Sequence, residues 1–231
     1  MTAMLKFAGA ARNVTGSRYL LQTDHVKVLV DCGFFQERKF QHRNWDPFII
    51  PPRELDAVLL THAHLDHCGL LPKLVKEGFK GKIYCTGATA DIAKIILKDS
   101  AHLQEEDAAR KKRRHEREGR KGPHPEVPLY TAEDAEATSP LFSPVDYLEP
   151  VHIGSGLKAT FHDAGHVLGS AMIKVTIDDG PDSRSIVFSG DVGRNDRPIL
   201  EDPETFKQTD YVVIESTYGA VSYTHLRAHE T

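Results

Sequence analysis

Cysteine is scarce in this chain, and the few cysteines present do not fit a disulfide framework. There are 3 among 231 residues, Cys32, Cys68 and Cys85, an odd number without a C-x-x-C spacing. Small secreted folds that depend on disulfides have an even and much denser set. The cysteine content therefore favours a reducing compartment, and we expect a cytoplasmic protein.

Long apolar runs are also missing. The run at residues 57–60 is typical of the longest, far short of the roughly 18 apolar residues that a membrane-spanning helix needs. The stretch 1–12 contains Lys6 and Arg12, which interrupt it and exclude the apolar core of a secretory signal. We expect no membrane partner.

The composition excludes a fibrous or disordered chain. Hydrophobic residues make up 40% and charged residues 27%, with a mean hydropathy of −0.39, which is ordinary for globular proteins. At about 150 residues per domain, the length corresponds to about one and a half domains. The chain is therefore longer than one typical domain and shorter than two, an awkward length.

The formal net charge of −4 is unevenly distributed. Residues 110–121 hold eight Lys and Arg against two Glu, a local balance of +6, so the rest of the chain carries −10. One interpretation is a solvated helix end, because the acidic residues 105–107 precede the basic run by one turn and can pair with it. The other is an RNA-binding arm that contacts phosphates, formed by Arg110, Lys111, Lys112, Arg113 and Arg114. The sequence leaves both open.

Hydrophobic patterning predicts an α/β protein. Residues 56–60 form a continuous apolar strand, as found in a sheet covered on both faces. The predicted strands are 5–8, 18–22, 26–30, 56–60, 82–85, 157–161, 171–177, 185–188 and 211–214. Helical patterns occupy 70–76 and 90–103, where the pattern dissolves in the basic run, and 131–134 resembles a capped helix start. Strands with helices between the early ones indicate sheets covered by helices.

The most informative segment follows the apolar strand that ends at residue 60. Residues 61–67 read Thr-His-Ala-His-Leu-Asp-His, with three imidazoles and a carboxylate within six residues. Such a cluster is not expected of core packing, whereas neutral imidazoles and carboxylates are ligands for a borderline metal such as Zn²⁺. The candidate ligands are His62, His64, Asp66 and His67. They are too few for two closed sites, so further ligands must come from elsewhere.

Two further candidates follow later strands. His166 lies in Asp-Ala-Gly-His-Val-Leu-Gly-Ser, and Asp191 lies in Phe-Ser-Gly-Asp-Val-Gly. In both segments, glycines allow the backbone and a metal to approach closely. Either residue alone would be interpreted as structural, as we interpret the remaining candidates, which are Cys68, His42, His102, His124, His152 and His162.

The His-x-His-x-Asp-His motif with later Gly-His and Gly-Asp elements resembles the metallo-β-lactamase fold, an αββα sandwich with a metal site at one sheet edge. More closely, the chain is similar to the β-CASP ribonucleases, which include the polyadenylation endonuclease subunit and its bacterial and archaeal relatives. The resemblance covers about residues 3–219. Besides the metal cluster, it includes residues 9–17, 29–33, 102–106, 128–131 and 215–219.

The resemblance implies a site for two Zn²⁺ ions and the hydrolysis of RNA. One ion would be held by His62, His64 and His166. The other would be held by Asp66 and His67, and Asp191 would bridge the two ions. A hydroxide between the ions would attack a phosphodiester in line. Asp66 would also orient that nucleophile, and Glu215 would position a general-acid histidine farther along the chain.

RNA is favoured over DNA because residues 166–170 look like those of the RNA-processing branch. The DNA-repair branch usually has Cys-Pro where Val167 and Leu168 stand. The resemblance implies single-stranded RNA as the substrate and is compatible with a homodimer of the full-length protein.

The resemblance also accounts for the awkward length. Residues 1–209 match the N-terminal part of a metallo-β-lactamase domain, and 210–219 match the start of the β-CASP insertion. Residues 220–231 resemble translated adaptor sequence, so we expect a non-native tail. The further histidines that the family needs would lie beyond residue 219, and we expect this truncated chain to be impaired in catalysis.

Two alternative functions stay open at this stage. One is a non-catalytic subunit that uses the fold to bind RNA or protein, although such subunits lose metal ligands that this chain retains. The other is a different hydrolase on the same fold, acting on a thioester, a cyclic phosphodiester or DNA, because a fold does not fix a function.

Overall fold

Two β-sheets form the framework of the computed structural model, which describes residues 2–122 and 124–217. The first sheet has six strands in chain order: β1 (Ala3–Phe7), β2 (Tyr19–Thr23), β3 (Lys27–Val30), β4 (Ala57–Leu59), β5 (Lys82–Thr86) and β6 (Phe142–Val145). Strands β1 to β3 pair antiparallel, so the predicted strands 18–22 and 26–30 form a hairpin, and β3 to β6 pair parallel.

The second sheet is built almost entirely from the last third of the chain, as the strand-rich pattern predicts. Its spatial order is β11-β10-β9-β8-β7. The strands are β7 (Val151–Gly154), β8 (Leu157–Asp163), β9 (Ala171–Ile177), β10 (Arg184–Phe188) and β11 (Tyr211–Val213). Strands β7 to β10 pair antiparallel, and β11 joins β10 in parallel.

The helices lie between β4 and β6 in the chain and cover the outer face of the first sheet. They are α1 (Leu65–Cys68), α2 (Leu71–Lys76), α3 (Gly87–Glu118) and α4 (Ala132–Thr138). The two sheets and this helical layer agree with the expected metallo-β-lactamase architecture. Within the described residues no α-helix follows β7, so the second helical layer of an αββα sandwich is not formed by this part of the chain.

Strand β4 contributes to both hydrophobic cores. Val58 packs with Leu60 in the core between the first sheet and the helices. Ala57 and Leu59 point the other way, into the core between the two sheets. The alternation follows the two-residue repeat of a strand. It explains why this segment is apolar without interruption, and it fixes the direction in which the chain leaves the strand.

Helix α3 is longer than its sequence pattern indicates. The apolar pattern fades in the basic run, but the helix does not end there: α3 continues to Glu118, and its C-cap Gly119 has a left-handed φ of 64°. Its buried positions in this half include Ala101, Ala108 and His115, which are small or polar. They therefore give little hydrophobic signal, although their seven-residue spacing keeps one side of the helix covered.

Two smaller features are also settled by the structure. The predicted capped start of α4 is confirmed: Thr131 Oγ1 accepts from the Asp134 amide, and Asp134 accepts from the Thr131 amide. Among the described residues, every helix is too short or too polar to cross a bilayer.

Candidate metal centre

Five strands bring candidate residues to one edge of the sandwich. Asp31 follows β3, His62 comes shortly after β4, His166 after β8, Asp191 after β10, and Glu215 after β11. Strands β3 and β4 run parallel in one sheet, and β8, β10 and β11 share one direction in the other. The carboxyl ends of these strands therefore meet at the same edge.

Helix α1 carries Asp66 and His67 and is held by backbone hydrogen bonds. The Ser17 amide donates to the Asp66 carbonyl at 2.8 Å, and the Cys32 amide donates to the His67 carbonyl at 2.7 Å. Gly33 lies beneath this contact, where a Cβ would stand 1.6 Å from the Asp66 carbonyl oxygen. The close approach of two backbones requires glycine at this position.

Three histidines and one aspartate converge on a single point. His62 Nε2 lies 3.0 Å from His64 Nδ1, which lies 3.3 Å from His166 Nε2. Asp191 Oδ2 lies 3.5 Å from His166 Nε2 and 3.8 Å from His62 Nε2. All four ligand atoms lie within 4.8 Å of one another, a spacing that could hold one metal ion.

A second group adjoins the first through the same carboxylate. Asp191 Oδ1 lies 3.2 Å from His67 Nε2, so this group is reached by the other oxygen of the carboxylate. Asp66 Oδ2 lies 3.8 Å from the same His67 nitrogen. The structure thus brings all six sequence-predicted ligands together, in two neighbouring groups that share Asp191.

Asp31 is a central residue of the site to which the sequence reasoning gave no role. It is 1% exposed, and its carboxylate accepts from the Thr61 amide at 2.9 Å and from Ser17 Oγ at 3.1 Å. His67 Nδ1 lies 2.7 Å from Asp31 Oδ2. One sequence signal could have identified Asp31. It is a carboxylate directly after β3, and β3 is the parallel neighbour of β4, the strand that precedes the histidines.

The hydrogen bonds of Asp31 and Thr61 orient both buried imidazoles. With His67 Nδ1 donating to Asp31, the ring directs Nε2 toward Asp191. Thr61 Oγ1 donates to Asp31 and lies 3.0 Å from His62 Nδ1. In the neutral tautomer with its proton on Nδ1, His62 donates to Thr61 Oγ1, and the lone pair of its unprotonated Nε2 faces the cluster. Ligand histidines in metal sites are commonly held by such a second hydrogen bond.

The electrostatics of the cluster favour a cation. Burial, reinforced by the neighbouring imidazoles, holds the pKa of His62 well below its usual value, and burial also lowers the pKa of His64. Both are therefore neutral, as metal ligands must be. Burial alone would lower the pKa of His67, but the carboxylates of Asp31 and Asp191 raise it to about 10. The same two carboxylates would favour a metal cation in place of the Nε2 proton, which His67 must lose to act as a ligand.

Asp191 is ionised for a related reason. Burial alone would raise its pKa, but the His67 hydrogen bond and the surrounding imidazoles lower it below the usual value. Glu215 supports the loop that carries Asp191, because Glu215 Oε1 accepts from the Val192 amide at 2.8 Å. Glu215 is therefore close to the cluster without belonging to either ligand group.

A cleft of about 300 Å³ opens beside the second group and gives access to the site. Its walls include Ser17, Asp31, His67, Asp191 and Glu215. His166 and Asp191 are partly exposed, with 27% and 28% of their side chains accessible, whereas His62 is buried. The arrangement is a buried base of ligands with an open side, which suits chemistry on a bound substrate more than a closed structural site.

The other candidates lie away from the cluster. Cys68 donates to the Ala63 carbonyl, and burial raises its pKa well above the usual value. His162 packs on Phe206, and its Nδ1 lies 3.5 Å from Glu204. His124 stacks on Trp45. The basic run 110–114 lies on the exposed distal half of α3 and contributes nothing to the ligand groups.

Comparisons with known proteins point to one family. The model of the Metallo-beta-lactamase superfamily matches residues 12–224. Ribonuclease TTHA0252 of Thermus thermophilus is 39% identical over 91% of this chain and 43% of its own length. Transcription termination factor FttA of Methanocaldococcus jannaschii is 36% identical over 94% of this chain and 31% of its own. The chain thus spans less than half the length of these curated relatives.

Two further similarities are more distant. An RNase J-like protein of Methanocaldococcus jannaschii is 30% identical over 94% of this chain and 43% of its own length. The crystal structure of the metallo-beta-lactamase fold protein YhfI from Bacillus subtilis has a TM-score of 0.48 at 18% identity, covering 84% of this chain and 64% of that chain.

The contact between Gly33 and Asp66 can be tested by substitution. Gly33→Ala should lower the free energy of unfolding by roughly 1–3 kcal/mol or more, because the new Cβ forces two backbones apart. Gly87→Ala is the matched control: no atom lies within 4 Å of its added Cβ, and alanine is favoured in a helix. Urea denaturation followed by circular dichroism measures both, and equal stabilities would contradict the argument.

Proposed function

The chain belongs to the metallo-beta-lactamase superfamily, and on that premise we propose that it is the metal-binding part of a zinc-dependent ribonuclease. The observation that carries the proposal is the position of Asp191. Its Oδ2 joins the three histidines and its Oδ1 lies 3.2 Å from His67 Nε2. One carboxylate therefore reaches two ligand groups and could be shared by a cation in each.

The donor set fits zinc. Around a tetrahedral Zn²⁺ with bonds of about 2.0–2.1 Å, neighbouring nitrogen ligands stand about 3.3–3.4 Å apart. The contacts given above between neighbouring ligand atoms of the first group measure 3.0 to 3.8 Å. We assign one ion to His62, His64 and His166. A second ion would be held by Asp66 and His67, and Asp191 would be shared by the two.

The chain's own residues would prepare the site for hydrolysis. Bound zinc ions supply Lewis acidity and acidify water for attack on a phosphodiester. Asp66, 20% exposed, is the carboxylate placed to orient the attacking water. Glu215 acts as a positioning residue through the Val192 amide, and its role toward a general-acid histidine farther along the chain stays a prediction.

RNA is the substrate that the relatives favour, because two of them are named as a ribonuclease and an RNase J-like protein. We propose single-stranded RNA, since unpaired bases and an extended backbone are open to a site recessed at a sheet edge. The three cysteines are free and buried, which agrees with a cytoplasmic location. A homodimer of the full-length protein stays a prediction.

We also propose that residues 1–209 are the N-terminal part of a split domain and that 210–219 begin a β-CASP insertion. Because Tyr211–Val213 still pairs with β10, the chain would leave the sandwich after this strand, and the insertion would begin within 214–219. Residues 218 and 219 and the proposed non-native segment 220–231 lie outside the described residues. The family match ends at residue 224, inside that last segment.

Resequencing the source locus tests the domain proposal. We expect the native reading frame to diverge from this sequence near residue 219 and to continue for at least as many residues again, because the relatives are more than twice as long as the matched part. A native stop codon directly after Thr231 would refute the proposal.

Asp31 should set the zinc affinity without contacting the ion. Asp31→Asn removes the charge that holds His67, and loss of such a partner typically weakens metal binding 10–100-fold. The matched control, Asp182→Asn, changes an exposed carboxylate in a turn and should leave the affinity unchanged. Titration against a chromophoric zinc chelator measures both variants, and equal affinities would show that Asp31 has no such role.

Cleavage of labelled single-stranded RNA by the native full-length protein tests the reaction. Chelation should abolish cleavage and added zinc should restore it. Asp191→Asn should reduce the rate by roughly 100-fold or more, because metal ions contribute several kcal/mol to such transition states. Asp182→Asn again serves as the control. Full zinc occupancy with RNA binding but no cleavage would favour a non-catalytic subunit, and turnover of DNA or a thioester instead would favour another hydrolase.

A further inference from the structure

The distal half of helix α3 has one covered side and one free side. Ala101, Ala108 and His115 are buried, and at about 100° per residue a spacing of seven keeps them within about 20° of one line. The segment after the helix covers this line: Glu126 contacts His115, and the Leu129 amide donates to Gln104. The rotation of the helix about its axis is therefore fixed.

Four arginines lie on the opposite side. These arginines are Arg110, Arg113, Arg114 and Arg117. Measured around the helix axis from Ala108, their positions fall between about 140° and 240°. All four are exposed and line one shallow groove, whose wall nearer the start of the helix carries the acidic residues 105–107. Lys111 and Lys112 fall at about 300° and 40°, on either side of the buried line. The helix thus separates the basic run into an outward arginine face, the four arginines above, and two flanking lysines.

In the part of the chain that the structure describes, few carboxylates form ion pairs with the arginine face. Arg110 pairs with Asp107, and Arg113 Nε donates to the Ala109 carbonyl at 3.4 Å. Within the described residues, Arg113, Arg114 and Arg117 have no carboxylate partner within 4.0 Å. Among the described residues, the acidic run 105–107 lines the same groove but forms one ion pair with this face, Asp107 with Arg110, so three of the four arginines are without a carboxylate partner.

We propose that the arginine face binds the phosphodiester backbone of single-stranded RNA, an inference that rests on the proposed function for its choice of polymer. The guanidinium group is planar and binds phosphate oxygens in pairs, whereas the lysine ammonium is a strongly hydrated point charge. The basic residues at outward positions are all arginine, and the lysines stand beside the covered side. The bound set therefore includes Arg117 and excludes Lys111 and Lys112, which revises the set 110–114 taken from the sequence.

Two double variants with the same change in charge test the proposal in the full 231-residue chain. Arg113→Gln with Arg117→Gln removes two guanidiniums from the arginine face, and Lys111→Gln with Lys112→Gln removes two flanking charges from the same helix. Binding of labelled single-stranded RNA is followed by fluorescence anisotropy against salt concentration, with chelator present so that no cleavage occurs. Circular dichroism checks that both variants keep the helix.

The two variants should separate in their salt dependence. Each phosphate contact to a single strand contributes about 0.7 to the slope of log affinity against log salt, so the arginine variant should lose about 1.4. In the lysine variant, the same slope should fall by less than half of that amount. Equal losses, or no loss in either variant, would overturn the proposal, as would preferential binding of anionic vesicles or duplex DNA that single-stranded RNA does not displace.

The outcomes are independent of the proposed reaction. RNA cleavage by the metal-loaded full-length protein, with equal salt slopes for the two variants, would refute only the arginine face. RNA bound through the arginine face but not cleaved would refute only the ribonuclease activity.

Discussion

The buried carboxylate of Asp31 is the constraint around which the site is organised. A charge removed from water is tolerated only when hydrogen bonds replace its hydration, and Asp31 obtains them from Ser17, Thr61 and His67. These donors come from two separate segments, the one before β2 and the one after β4, which must meet for the carboxylate to be satisfied. Asp31 adopts a left-handed φ of 58°, a conformation that aspartate tolerates better than most residues. The same contacts that stabilise the charge also orient two ligand histidines.

The site and the double core follow from one topology. Strand β4 fills the core under the helices with one set of side chains and the core between the sheets with the other. Because the chain is fixed on both faces up to Leu60, the residues that follow start from a rigid base. The Ala171 amide donates to the Thr61 carbonyl at 2.8 Å and joins the second sheet to this base. Ligands from two sheets can therefore keep ångström-scale spacing without a disulfide.

Much of the fold and the residues that converge at the candidate metal centre could be predicted because their signals are local or chemically dense. Continuous apolar strands, the Thr131 cap and the His-x-His-x-Asp-His motif each show in a few adjacent residues. The distal part of α3 could not be predicted, because Ala108 and His115 carry little apolar signal and depend on a covering segment for burial. Asp31 was missed for a related reason. A lone aspartate after a strand gains its meaning only from a parallel neighbour 30 residues away, a relation that periodicity does not show.

Helix α3 also has a length that connects two distant parts of the molecule. Thr86, its N-cap, and Thr89 both donate to the Gly169 carbonyl at 2.7 Å, so the helix starts against the loop that carries His166. At about 1.5 Å per residue, the arginines lie roughly 35–45 Å along its axis from that loop. A small phosphorylated metabolite could occupy one end only, whereas a polymer could span both. A polymer that reaches from the candidate metal centre to the arginine face must therefore be about as long as this helix.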